Sequence, residues 1–221
     1  MKKALLLLIL LCPLVVFAQK KMKEGVVKYD VVDIKGSSMA TAGLKGSKSA
    51  MYFNDAFAKV DATVMNGMMR TQVIRNYKTE GNVMVVDGIV GKKVVTMDKE
   101  SKDAKDPKRG FDITYDTKDT RKIMGYNCSK VTMKSKTDNT VSVLYVTDKI
   151  MPAVSPFAHV FPDLKGFPLR YEIGRDGTRI TYEAKEISNK INAKDFEIPT
   201  TGYERMTMEE FQKSLGKMGE E

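Results

Sequence analysis

Ala58-Lys59-Val60-Asp61-Ala62-Thr63-Val64-Met65-Asn66-Gly67-Met68-Met69-Arg70-Thr71-Gln72-Val73 is the stretch that decides the fold. Ala58, Val60, Ala62 and Val64 alternate with Lys59, Asp61 and Thr63, the period of a strand with one face buried. Asn66-Gly67 follows, and both residues tolerate the positive φ of a type I′ turn. A hairpin centred there pairs Met65 with Met68 and Val64 with Met69. The same register sets Ala62 opposite Thr71 and Val60 opposite Val73. Ala58, Val60, Ala62, Val64, Met69 and Val73 then share one face.

Similar alternation recurs on both sides of this hairpin. Val27, Tyr29 and Val31 alternate with Lys28 and Asp30; Phe111, Ile113 and Tyr115 alternate with Asp112 and Thr114. Leu169, Tyr171 and Ile173 form another such run, and Ile180, Tyr182 and Ala184 a further one. Asp87-Gly88, Thr137-Asp138-Asn139 and Gly174-Arg175-Asp176-Gly177 mark three more hairpins. These signals predict a mainly β protein of roughly 8–11 strands joined mostly to their sequence neighbours. That pattern is an antiparallel meander, either an open curved sheet or a barrel.

Helical signals are few. Thr207-Met208-Glu209-Glu210 is a capping box. Met208, Phe211, Leu215 and Met218 follow on one stripe, predicting a C-terminal helix over about 207–217. Ser155-Pro156 opens a second, short helix carrying Phe157, Val160 and Phe161, and Pro162 ends it. Gly36 to Ser49 reads as a loop with one helical turn, and Lys99 to Arg109 as a mixed-charge loop. No internal repeat and no domain boundary interrupt the chain, which reads as a single domain over 19–221.

The amino terminus carries an address. Lys2 and Lys3 precede an apolar run from Ala4 to Phe17, and Ala18 supplies a small residue at a cleavage site. This is the layout of a secretory signal peptide over 1–18. The run is too short to span a bilayer comfortably. Cys12 lies inside it, preceded by Leu11 and followed by Pro13, and reads as an apolar-region residue rather than a lipidation site. The expected location is exported, periplasmic or associated with the outer envelope, and soluble after signal removal.

Composition narrows the chemistry. The 221 residues hold one His, two Cys and no Trp, which leaves little material for nucleophilic or metal sites. Cys128, the remaining Cys of a mature chain, reads as a small buried hydrophobe, with a reactive thiol or an intermolecular bridge as the alternative. His159 reads as a packing or surface residue, because no Ser, Cys or carboxylate constellation is identifiable around it. The 15 Met residues read as adaptable apolar lining rather than as copper ligands, because Met68 and Met69 point to opposite strand faces. The net charge of +9 is spread along strands and loops. It comes with no nucleic-acid motif and is compatible with weak contact at an anionic membrane surface. No cofactor or metal is expected.

Three stretches carry a resemblance. They are Lys122-Ile123-Met124-Gly125-Tyr126-Asn127-Cys128-Ser129-Lys130-Val131, Gly166-Phe167-Pro168-Leu169, and Asp195-Phe196-Glu197-Ile198-Pro199 with Gly202-Tyr203 and Met206 to Phe211. Together they resemble domain-of-unknown-function family 4412, exported bacterial proteins similar to the LolA/LolB-like lipoprotein carriers. The resemblance runs from about Gly25 to Phe211. It implies a strongly curved antiparallel sheet, a half-barrel, with short helices covering its concave face and an apolar cavity beneath. The carriers hold acyl chains in that cavity, but none of their ligand-gating residues can be matched here.

The expected function is therefore non-enzymatic binding of a lipid, acyl chain or other apolar ligand inside the curved sheet. Val60, Ala62, Val64, Met69 and Val73 are the candidate lining. The helix in the long Ile150 to Gly166 connection brings Phe157 and Phe161, either as a movable plug or as a fixed core helix. The alternative is a structural or interaction module of the cell envelope without a ligand. An enzyme has least support, because no reactive constellation is present.

Overall fold

The computed structural model describes residues 21–36, 41–97, 110–175 and 177–218. Twelve strands form one sheet: β1 (Gly25–Lys35), β2 (Lys48–Phe53), β3 (Phe57–Val64), β4 (Met69–Asn76), β5 (Gly81–Gly88), β6 (Gly91–Met97), β7 (Phe111–Ile123), β8 (Tyr126–Ser135), β9 (Val141–Thr147), β10 (Phe167–Arg175), β11 (Thr178–Ser188) and β12 (Glu204–Thr207). An α-helix, α1 (Met208–Met218), follows β12. The order across the sheet is β12-β6-β5-β4-β3-β2-β1-β11-β10-β9-β8-β7. The sheet does not close into a barrel; β12 and β7 are its edges.

The deciding hairpin forms in the expected register. Val64 faces Met69, Ala62 faces Thr71 and Val60 faces Val73. Asn66 (φ 54°, ψ 34°) and Gly67 (φ 94°) take the two central positions of a type I′ turn. The Met68 N–H closes it onto the Met65 carbonyl at 3.1 Å. Met65 itself has φ 54°, so the ladder stops one pair short, at Val64–Met69.

Two features depart from a simple meander. β1 to β6 form one run of hairpins and β7 to β11 another, and the two runs join where β1 pairs antiparallel with β11. β12 adds to β6 in parallel, outside any hairpin. The turn expected at Asp87-Gly88 instead falls on Ile89-Val90, because Asp87 still pairs with Lys92 and Gly88 with Gly91. Gly88 is needed for a different reason: at φ 153° a Cβ there would collide with the Met68 carbonyl. The Lys99 to Arg109 loop and the 1–18 leader lie outside the described residues.

The main core lies on one face of the sheet, here called the core face. Val27, Tyr29, Met51, Phe53, Val131, Met133, Leu144, Leu169 and Tyr171 are buried in it. The reverse face holds a smaller cluster of Ile74, Val85 and Val94, packed against Phe57, Ile198 and Tyr203. Elsewhere the reverse face is charged. Asp61 accepts two hydrogen bonds from Arg70 at 2.9 and 2.6 Å and one from Gln72 at 2.9 Å. Burial pushes the Asp61 carboxyl up, but these bonds outweigh it and hold the group below its usual range.

Candidate functional site

The five strand residues expected to line a site do share a face. Cross-strand pairing runs Met51–Val60–Val73–Met84–Val95 across β2 to β6. The next row runs Ser49–Ala62–Thr71–Val86–Lys93. Val60, Ala62, Val64, Met69 and Val73 are all half-buried. Val60 packs against the main core; the other four belong to neither cluster on this face. They form an apolar strip with accessible surface left to bury, at about 25 cal/mol per Å2.

A cover stands at each side of the strip. The first is the segment 155–161. It is a single turn and not the helix expected from Ser155-Pro156. Ser155 Oγ does accept the Phe157 N–H at 3.2 Å, and the Phe161 N–H reaches the Phe157 carbonyl at 2.8 Å. The turn goes no further because Pro162 cannot donate and Asp163 is left-handed at φ 63°. One turn in isolation does not nucleate a helix. Phe157 and Phe161 are buried, at 1% and 4% exposure. Phe157 meets Tyr171, Phe167 and Tyr29 edge-on at centroid distances of 5.0, 5.4 and 6.2 Å. Val160, expected beside them, points outward.

The second cover is α1. Its capping box forms as expected: the Thr207 N–H donates to Glu210 Oε2 at 2.7 Å, and the Glu210 N–H donates to Thr207 Oγ1 at 3.2 Å. Phe211 then packs on Val86 and Val95, with Met208 and Met206 beside it. Met206 is placed there by β12, which the sequence does not reveal. Glu204-Arg205-Met206-Thr207 is four residues long, with one apolar member. Only the distant β6 makes it a strand.

Other candidates find ordinary places. Cys128 is buried in the main core, and burial pushes its thiol up to about 11. His159 keeps one side in solvent, yet partial desolvation and the Arg75 charge pull its imidazole down to about 4. Met65 and Met68 are exposed at the hairpin end while Met69 joins the strip. Among the described residues, no group of three or more His, Cys, Asp or Glu could hold a metal ion. Among them, too, no helix is long and apolar enough to cross a membrane. A cleft of about 1090 Å3 lies away from the strip, lined by Met22, Tyr126, Met151 and Ile187 among others.

A charged residue beyond the apolar pattern also stands on the core face of β4. Arg75 continues the series Met69, Thr71, Val73 and stands opposite Ala58 on β3 and Asn82 on β5. Extending the hairpin register by one more pair would have found it.

The family model described as "Domain of unknown function (DUF4412)" matches residues 24–160. The chain belongs to that family. The DUF4412 match takes in the whole strip and Phe157, and ends before β10, β11, β12 and α1. No curated protein matches the chain. Among solved structures, it is similar to the lipoprotein LppX of Mycobacterium tuberculosis, at 11% identity over 78% of this chain and 89% of that one, with a TM-score of 0.29. It is also similar to a DUF1329 family protein from Desulfovibrio piger, at 10% identity over 81% of this chain and 90% of that one, with a TM-score of 0.33.

Proposed function

We propose that this DUF4412 protein is an exported, non-enzymatic binder that takes a lipid, acyl chain or other apolar ligand onto the core face of its sheet. The observation that carries the reading is the half-buried strip of Ala62, Val64, Met69 and Val73 between two packed covers. Small Ala62 leaves room, and unbranched Met69 adapts to irregular shapes. The leader over 1–18 directs export, and residues from Gln19 onward form one domain with weak affinity for anionic membrane surfaces.

In this reading the sheet curves toward the core face, as in the LolA/LolB-like carriers. Chain length supports the curvature. β6 and β7 are ten strand spacings apart in the order, about 48 Å if the sheet were flat. The fourteen peptide units from Met97 to Phe111 reach at most about 50 Å fully extended. A curved sheet relieves that demand.

A second reading rests on the burial of Phe157 and Phe161. Both are packed as core residues are, which suits a filled structural or interaction module with no ligand. Native mass spectrometry of the protein purified from the envelope of its own cells separates the two. Bound lipid is the expected result. A protein that is always ligand-free, and that binds no fluorescent fatty acid at any chain length, returns the second reading.

A further inference from the structure

The apolar strip ends at a cation. Arg75 lies on the core face two residues beyond Val73, and its Nε is shielded from water with no hydrogen-bond partner. No ion pair engages its guanidinium among the described residues. A buried donor without a partner is costly, and more so on a charged group. Native chains rarely keep such a group without a use for it. Its titratable neighbours do not neutralise it. Burial raises the Tyr77 phenol, and the His159 imidazole is held low, so both are uncharged at neutral pH. Among the described residues this leaves an unneutralised positive charge beside the 155–161 turn, at one end of an apolar track. From Arg75 to Met69 that track runs about 20 Å along β4.

We propose that Arg75 is the head-group site of the strip, receiving the anionic head of a single-chain amphiphile whose tail lies along Val73, Val60, Ala62, Val64 and Met69. The planar guanidinium suits a carboxylate or phosphate head, which it can hold through two parallel N–H donors. This inference rests on the apolar-ligand reading above and adds the chemistry and direction of the ligand.

The test uses the mature chain loaded with a neutral fluorescent probe, N-phenyl-1-naphthylamine. Palmitate, palmitoyl lysophosphatidic acid and uncharged hexadecanol then compete for it. The expected result is that at least one anion displaces the probe at a concentration about tenfold or more below that of hexadecanol, the scale of one charge-assisted hydrogen bond. The tighter of the two anions identifies a carboxylate or a phosphate head. Arg75→Gln should bring the favoured anion to the level of hexadecanol, and Arg75→Lys should retain part of the preference. The melting temperature of Arg75→Gln should be unchanged or higher, because no native bond to Nε is lost. Equal competition by all three ligands in the wild type, or a preference that survives in Arg75→Gln, overturns the proposal while leaving apolar binding intact. If Arg75→Gln fails to fold, the wild-type ratio of anion to alcohol decides, and a ratio near one overturns it. Failure of the wild type to bind the neutral probe overturns the apolar reading and this one with it.

Discussion

The 155–161 turn buries two phenylalanines in the main core, whereas α1 sets one phenylalanine on the sheet and leaves Leu215 40% exposed. Phe157 is enclosed by three aromatic rings drawn from β1 and β10. Phe211, 9% exposed, rests on Val86 and Val95 near the β12 edge. Removing the first cover opens a cavity in the main core; removing the second exposes a small patch near an edge. If one cover shifts to admit a ligand, this difference makes α1 the cheaper one to move. Of the two readings of the Phe157 segment, movable plug or fixed core, its packing favours the fixed core.

The sharpest way to break the comparison is Phe157→Ala. A cavity in a packed core predicts a loss of about 3–5 kcal/mol, read from the urea midpoint. A loss under about 1 kcal/mol would mean that the turn is loosely seated and the two covers are alike. Phe211→Ala should cost less, about 2 kcal/mol, because one contact patch is lost and its surroundings can collapse. Hydrogen exchange should then rise along α1 while β1 and β10 stay protected. Exchange rising equally in all three would tie the second cover to the main core.

Gly67→Val tests the strip between the covers. A β-branched residue resists the φ of 94°, so a cost of about 1–2 kcal/mol is expected. An unchanged midpoint would remove the turn as the element that sets the register. Cys128 gives the smallest signal and reports on the first cover alone. With the thiol pushed up to about 11, alkylation by iodoacetamide at neutral pH should be slow in the wild type and faster in Phe157→Ala. The folded pKa is raised, so this group's contribution to stability is present at neutral pH and is lost as pH climbs from about 9 toward 11. A fold whose stability is flat across that range would show that the thiol is not desolvated.

What was legible in the sequence followed local rules. Asn66-Gly67 encodes its own turn, and period-2 alternation then places Val60 beside Val73 without any knowledge of the rest. Thr207 and Glu210 satisfy each other within one turn of chain. What was not legible depended on distant partners. β12 is a strand only because β6 offers a free edge. Gly88 looked like a turn residue but is there for the close approach of Met68. Met124-Gly125 went unread as a turn, although Met124 (φ 48°) and Gly125 (φ 83°) reverse the chain between β7 and β8 much as Asn66-Gly67 does between β3 and β4. Methionine is not a residue that announces left-handed backbone. Segment 155–161 carries good start signals for a helix, yet its prolines leave room for only one turn. The shared face of Val60, Ala62, Val64, Met69 and Val73 was legible from alternation and turn register, whereas Arg75 was not, because an apolar pattern carries no signal for a charged side chain on the same face.

The seam between β1 and β11 has a kinetic consequence. Val26 lies opposite Ser188 and Tyr29 opposite Ala184, so the middle of the sheet is built from contacts between the two ends of the chain. The neighbouring strands on either side are joined by at most about twenty residues, but this seam must bring together segments separated by nearly the whole domain, and such pairings are slow. β1 can dock early on β2, yet its other edge stays bare until β11 arrives. A chain cut anywhere before Thr178 would leave that edge permanently open, in the centre of the sheet rather than at its rim.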